Sequence, residues 1–268
     1  MQCRQGAVRA VVMAAVIATS ALFGAAAAVA GSSKDGPIDV VRSGPEFSVN
    51  ATYTSDYRFR GFTQTREKSA LQGGLDAVWP NFYAGIWASS VDFGSVLGSN
   101  VADVELVTYV GHKRDLFGYN VDLRAIYYAY PGANGLPERL DYFEAMLGFS
   151  REIMPSLTLS SKVYFSPDYQ GETGKNWVFE TGIARKLGAI GSVSPSLSAV
   201  LGSSYGEESK GGFDYYYWNA GVSFVFANYF ELDLRYYDTF DVPTSALVGG
   251  TCSNVCDGRF VARITFEN

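Results

Sequence analysis

The chain has 268 residues, a formal charge of −6 and an aromatic content of 15%, a length that fits one large β domain or two smaller ones. Its acidity argues against a nucleic-acid partner, because phosphate binding needs a basic surface. With one histidine and three cysteines in the whole chain, little is available for a metal cluster or for histidine-dependent catalysis.

The first predicted segment is 1–30. Arg4 and Arg9 precede an uncharged apolar run from Ala10 to Ala30, which ends in Ala28-Val29-Ala30 before Gly31. A basic start, apolar middle and small-x-small exit describe a secretory signal peptide. The alternative is an uncleaved membrane helix, since the run is long enough to span a bilayer. Cys3 lies ahead of the apolar run, not at its end where a lipid-anchor cysteine would sit. Loss of the two arginines takes the charge from −6 to −8. Residues 31–45, "GSSKDGPIDVVRSGP", read as a polar periplasmic tail.

From 46 to 268 the pattern is β. Punctuation by Gly, Pro, Asn and Asp predicts strands near 46–57, 70–79, 82–93, 103–113, 119–130, 141–152, 157–168, 176–186, 196–206, 214–226, 229–240 and 258–267. The gaps alternate. Long connections fall at 58–69, 94–102, 131–140, 169–175, 207–213 and 241–257, and short ones at 80–81, 114–118, 153–156 and 227–228, with 187–195 as the exception. All long loops therefore lie on one edge of an up-and-down sheet, as in outer-membrane barrels.

The faces agree. In 141–152, Phe143, Ala145, Leu147 and Phe149 oppose Tyr142, Glu144 and Ser150; in 229–237, Phe230, Leu232, Leu234 and Tyr236 oppose Glu231, Asp233, Arg235 and Tyr237. A soluble lipocalin-type barrel would turn the apolar face inward, and alternation alone does not separate the two. The export signal, strand number, sorted loops and aromatic clusters at strand ends ("WPNFY" at 79–83, "DYYYW" at 214–218) favour the membrane. The expected fold is an all-β transmembrane antiparallel barrel of about twelve strands in the bacterial outer membrane.

At 54–61, "TSDYRFRG" places Asp56, Arg58 and Arg60 on the inward parity as the first strand runs into the first long loop. This reads either as a salt-bridged rim or as a solute-contact site. Further along, the inward acids are Asp76, Glu105, Asp122, Glu144, Glu180, Glu231 and Asp233, and the inward bases Arg124, Lys162, Arg235 and Arg263. The surplus, seven less four, is three negative charges, which favours weak cation preference in a narrow pore. His112 falls on the outward parity near the short-turn end, away from any inward Ser or Asp, so no enzyme is expected. Cys252 and Cys256, in "TCSNVC", read as a small disulfide loop in an oxidising compartment; a metal site or free thiols are the alternatives. No cofactor motif appears.

"TSDYRFRGFTQT" (54–65), "QGGLDAVWPNFYAGIWASSVDF" (72–93) and "IYYAYPGA" (126–133) resemble the TorF-type family of proteobacterial porins. The resemblance implies an outer-membrane barrel and says little about solute. One departure is the end of the chain, where Phe266 is followed by Glu267 and Asn268. The expected function is passive diffusion of small hydrophilic solutes or ions through a channel surrounded by outer-membrane lipid. A structural or surface-interaction barrel with a plugged lumen, or an outer-membrane hydrolase, are the alternatives. Homo-oligomerisation is left open.

Overall fold

The computed structural model describes residues 44–96, 99–133, 139–246 and 251–268. The expected signal peptide and the tail up to residue 43 lie outside the described residues. Twelve strands close into one antiparallel barrel: β1 (Glu46–Thr54), β2 (Ala70–Val78), β3 (Phe82–Ser90), β4 (Val104–Leu116), β5 (Tyr119–Ala129), β6 (Tyr142–Met154), β7 (Leu157–Ser166), β8 (Asn176–Lys186), β9 (Val193–Gly206), β10 (Tyr215–Phe226), β11 (Phe230–Phe240) and β12 (Arg259–Glu267). Each pairs with its neighbours in sequence, and β1 pairs with β12, Ala51 opposite Phe266, to close the wall.

Closure leaves no edge strand with unpaired backbone groups, the condition for a sheet that faces hydrocarbon. The last residues complete it. Phe266 stays on the outer wall against Phe230, and the Asn268 side chain accepts a hydrogen bond from the Val49 amide at 2.9 Å.

Period-two alternation decides the two surfaces. Phe47, Tyr53, Leu71, Leu75, Leu123, Leu201, Phe260 and Ile264 are exposed on the outer wall, whereas Thr52, Thr54, Glu105, Arg124, Glu144 and Asp233 are buried inside. Aromatic pairs band the outer wall at both ends. Trp177 lies against Phe165 and Tyr216 stacks on Phe240 toward the long loops; Phe82 meets His112 near the short turns.

The short turns are tighter than the sequence pattern suggests. β4 runs on to Leu116 because Phe117 and Gly118, both at positive φ (54° and 79°), make a two-residue hairpin turn. β9 starts at Val193, which shortens the one long connection on that edge to 187–192. The opposite correction falls on β1. It ends at Thr54, not residue 57, and the chain beyond it does not leave the barrel.

Candidate functional site: the constricted lumen

The sequence pattern predicts a first strand to residue 57 and a long outer loop over 58–69, with Asp56, Arg58 and Arg60 at a rim or a solute contact. Residues 55–69 fold back into the barrel instead. Asp56, Tyr57, Arg58, Phe59 and Arg60 are all 5% exposed or less, and Phe62 and Gln64 are fully buried. Both parities are buried, which a wall strand never shows when one face meets lipid. The segment is a small ribbon of its own, Arg58–Phe59 paired with Phe62–Thr63. Arg60 and Gly61, at φ 44° and 89°, form its turn. This is the hairpin geometry that glycine favours, and a Cβ on Gly61 would overlap Thr239 Cγ2 of the wall.

Asp56 organises the ribbon. Its carboxylate accepts hydrogen bonds from Arg58 Nε (2.6 Å), Thr63 Oγ1 (2.5 Å) and Thr65 Oγ1 (2.9 Å). Thus Asp56 and Arg58 do pair, but inside the lumen and not at a solvent rim. Arg60 has another partner. It donates to both oxygens of Glu144 on β6, at 2.8 and 2.9 Å, with both side chains at most 2% exposed. Its guanidinium also lies over the rings of Phe59 (4.4 Å) and Tyr164 (4.8 Å).

Tyrosines serve the other acids of this half. Tyr57 and Tyr130 donate to the two oxygens of Glu105, at 2.9 and 3.1 Å. Burial, reinforced by Glu105, pushes Tyr130 well above the usual tyrosine range, so its hydroxyl stays protonated and donates. Tyr217 donates to Glu180 at 2.7 Å. Tyr217 can lie flat against the wall because Gly202 stands directly opposite on β9, where a Cβ would overlap its ring. Gly111 does the same for Tyr83 on β3.

A collar from the last long loop grips the ribbon. Cys252 and Cys256 are joined by a disulfide, their Cα atoms 4.7 Å apart, in a turn where three successive amides, 255–257, donate to the Cys252 carbonyl. From this turn the Val255 carbonyl accepts from the Thr63 amide at 2.9 Å, and the Asp257 carbonyl from Arg58 Nη1 at 3.0 Å. Arg259 at the start of β12 pairs with Glu67 at 2.6 Å.

The half of the lumen nearer the short turns is less tightly filled. Asp76, Asp122, Lys162, Glu231, Arg235 and Arg263 are only partly buried there. Tyr109 donates to Asp76, and Tyr83 to Asp122 at 2.6 Å; Arg124 donates to Tyr83 and, at 3.0 Å, to Asp122. Across the barrel Arg235 donates to Asp233 (2.9 Å), Asn219 (2.8 Å) and Ser198 (2.7 Å). Arg263 stands 3.9 Å from Glu231.

Lys113, on the inward parity of β4 and over the Tyr83 ring at 4.8 Å, is a luminal base that the sequence pattern alone did not bring out. It sits at the very end of the strand expected over 103–113, where alternation is weakest as a signal. Lys113, Arg58, Arg60, Lys186 and Arg259 add five bases to the inward set, and Asp56, Glu46, Asp115, Glu152 and Glu267 five acids. Twelve acids less nine bases leaves the surplus at three.

A closed antiparallel barrel with an apolar outer wall and a charged interior belongs to the architecture of outer-membrane porins. The chain belongs to the Gcw_chp family, described as bacterial proteins of unknown function, whose pattern matches residues 40–266. No curated protein matches it. Among solved structures it is similar to the KdgM porin, at TM-score 0.51 and 7% identity over 82% of this chain and 98% of that one. It is similar at TM-score 0.52, with the same identity and coverage, to the KdgM porin in complex with disordered oligogalacturonate. LpxR from Salmonella typhimurium shares 9% identity at TM-score 0.48, over 82% of this chain and 99% of that one. With the two KdgM structures, at 7% identity, the shared property is the fold.

Proposed function

We propose that the protein is a narrow outer-membrane channel for small hydrophilic solutes or ions, of the TorF-type porin kind. In this reading it is exported by the signal peptide at 1–30 and constricted on its outer side by the inward-folded segment 55–69. The observation that carries this is the division of the wall, with acids and bases of both signs inside and almost none outside. An interior of that kind is fit for water and solute. The long loops, and with them the constriction, face outward from the cell, and the short turns face the periplasm.

The constriction is held by ion pairs and hydrogen bonds together with Tyr57, Phe59 and Phe62, which are buried among wall aromatics such as Trp87 and Tyr215. Burying a charge pair costs desolvation that its attraction only partly returns, which lowers the cost of displacing the ribbon, and we take it as a gate. The complete burial of Phe62 and Gln64 favours a second reading, a permanently plugged structural barrel. A hydrolase is the weakest reading: the single histidine, His112, meets Phe82 edge-to-face at 4.6 Å on the outer wall.

Swelling of liposomes holding the purified protein separates the first two readings. Small sugars and amino acids should enter above the protein-free rate while large oligosaccharides stay out. A permanently plugged barrel would admit nothing while segment 55–69 is present.

A further inference from the structure

Outward positions in the twelve strands carry just four charged side chains: Arg114 on β4, Arg151 on β6, Arg185 on β8 and Asp238 on β11. The parity is set in each case by buried neighbours, Glu105 and Val107 on β4, Glu144 and Met146 on β6, Asn176 and Val178 on β8, and Asp233 on β11. The three arginines all lie at the short-turn end, and Asp238 lies at the other. Outward faces of β4–β8 therefore bear three cations and no acid.

At that end a groove of about 250 Å³ opens between β5, β6 and β7, its lining including Tyr119, Phe149, Arg151, Glu152, Ile153 and Leu159. The Arg151 guanidinium is 5.1 Å from the centre of the Tyr119 ring. No ion pair joins it to a carboxylate among the described residues. Glu152, its chain neighbour, also lines the groove, on the opposite strand parity, and its carboxylate accepts from the Ser156 amide at 2.8 Å. Strand register puts Leu159 opposite Arg151, with Val121 between Phe149 and Arg114, and Leu157 opposite Arg185.

We propose that this groove binds one anionic phospholipid of the periplasmic leaflet, its phosphate on Arg151 and an acyl chain along Phe149, Ile153 and Leu159. This rests on the proposed membrane function, with the short turns toward the periplasm. An arginine on a lipid-facing wall is costly at mid-bilayer and nearly free at the interface, where these three stand. A planar guanidinium matches two phosphate oxygens at once, and the cations on β4 and β8 add to the attraction for a negative headgroup. Each basic group near an anionic headgroup is worth about a five-fold preference, from roughly 1 kcal/mol per residue.

The test is native mass spectrometry of the folded barrel in detergent with equimolar phosphatidylglycerol and phosphatidylcholine of identical chains. Phosphatidylglycerol should be retained at one per barrel, at least about five-fold in preference. Arg151→Gln should cut that preference about five-fold, Arg151→Lys should keep part of it, and Arg139→Gln at the long-loop end should leave it unchanged. Equal retention of the two lipids, unchanged selectivity in Arg151→Gln, or a second barrel in place of lipid would overturn the site. Insertion of the same preparation into bilayers reads the membrane assignment separately. A barrel that inserts without choosing lipid fails this proposal alone, and one that never inserts fails both.

Discussion

The Arg60–Glu144 pair offers the sharpest handle on the constriction. Arg60→Ala strips a fully buried carboxylate of both its charged hydrogen bonds, leaving only the Tyr128 hydroxyl at 3.3 Å. Removing one partner of a buried pair costs about 3–5 kcal/mol, because the other charge stays desolvated. Tyr128 cushions Glu144, so the lower end applies to that loss, and the ring contacts of Arg60 with Phe59 and Tyr164 add about 1 kcal/mol. Glu144→Gln leaves those ring contacts in place and should cost less. Because Arg60 is on the ribbon and Glu144 on the wall, the cost weighs on the seated state of the ribbon and not on barrel closure. The equilibrium between seated and displaced ribbon should move by about 10²–10³-fold. Single-channel recording of purified protein in planar bilayers should show a large rise in open time for both single variants. The pair Arg60→Met with Glu144→Leu removes both charges and keeps volume, and should return open time toward the starting value. If the single variants conduct like the unmodified protein, or the double variant stays as open as the singles, the pair does not hold the gate.

Gly61→Val should unseat the ribbon by another route, since a β-branched side chain at φ 89° is strained and would overlap Thr239. Heat-modifiable gel mobility should persist while open time rises. Cys252→Ser with Cys256→Ser should loosen the collar and raise open time, yet leave the thermal unfolding of the barrel nearly unchanged, because a short closed loop removes little chain entropy. Asp92, in the loop beside the ribbon, is pushed upward by burial, but the hydrogen bond and charge of Lys68 at 2.7 Å outweigh this and hold it below the usual range. Its contribution is present above the ordinary carboxylate value of about 3.9 and is lost only as pH falls through the lowered one. An NMR titration should find it fully ionised at pH 5, and protonation above that pH would contradict the contact.

Much of the barrel was legible because lipid and water impose a strict period of two. Phe143, Leu147 and Phe149 against Glu144 and Met146 can be read without any partner strand, and sorted loop lengths gave the strand order. The constriction was not legible for the same physical reason. In "DYRFRGFT" the alternation continues for five residues, which puts Tyr57 and Phe59 on the outward parity, yet both are buried among other luminal side chains. A segment enclosed on every side has no outward face for parity to report. The turn at Arg60–Gly61 was the one local hint of a hairpin. Arg60 reaches Glu144 across 84 residues, and nothing in the spacing of either residue announces that partner. Lys113 lies on the inward parity of its strand but at its predicted end, where the alternation gives the weakest signal.

Whether segment 55–69 closes an otherwise conducting pore is decided by removing it. The purified barrel with residues 57–64 replaced by a short glycine-serine link, which leaves β1 and β2 joined, would be recorded in planar bilayers beside the unmodified protein. Rare, brief openings are expected in the unmodified protein, and stable, salt-proportional conductance in the shortened one. A shortened barrel that folds, inserts and passes no current would contradict the assignment of this segment as a gate.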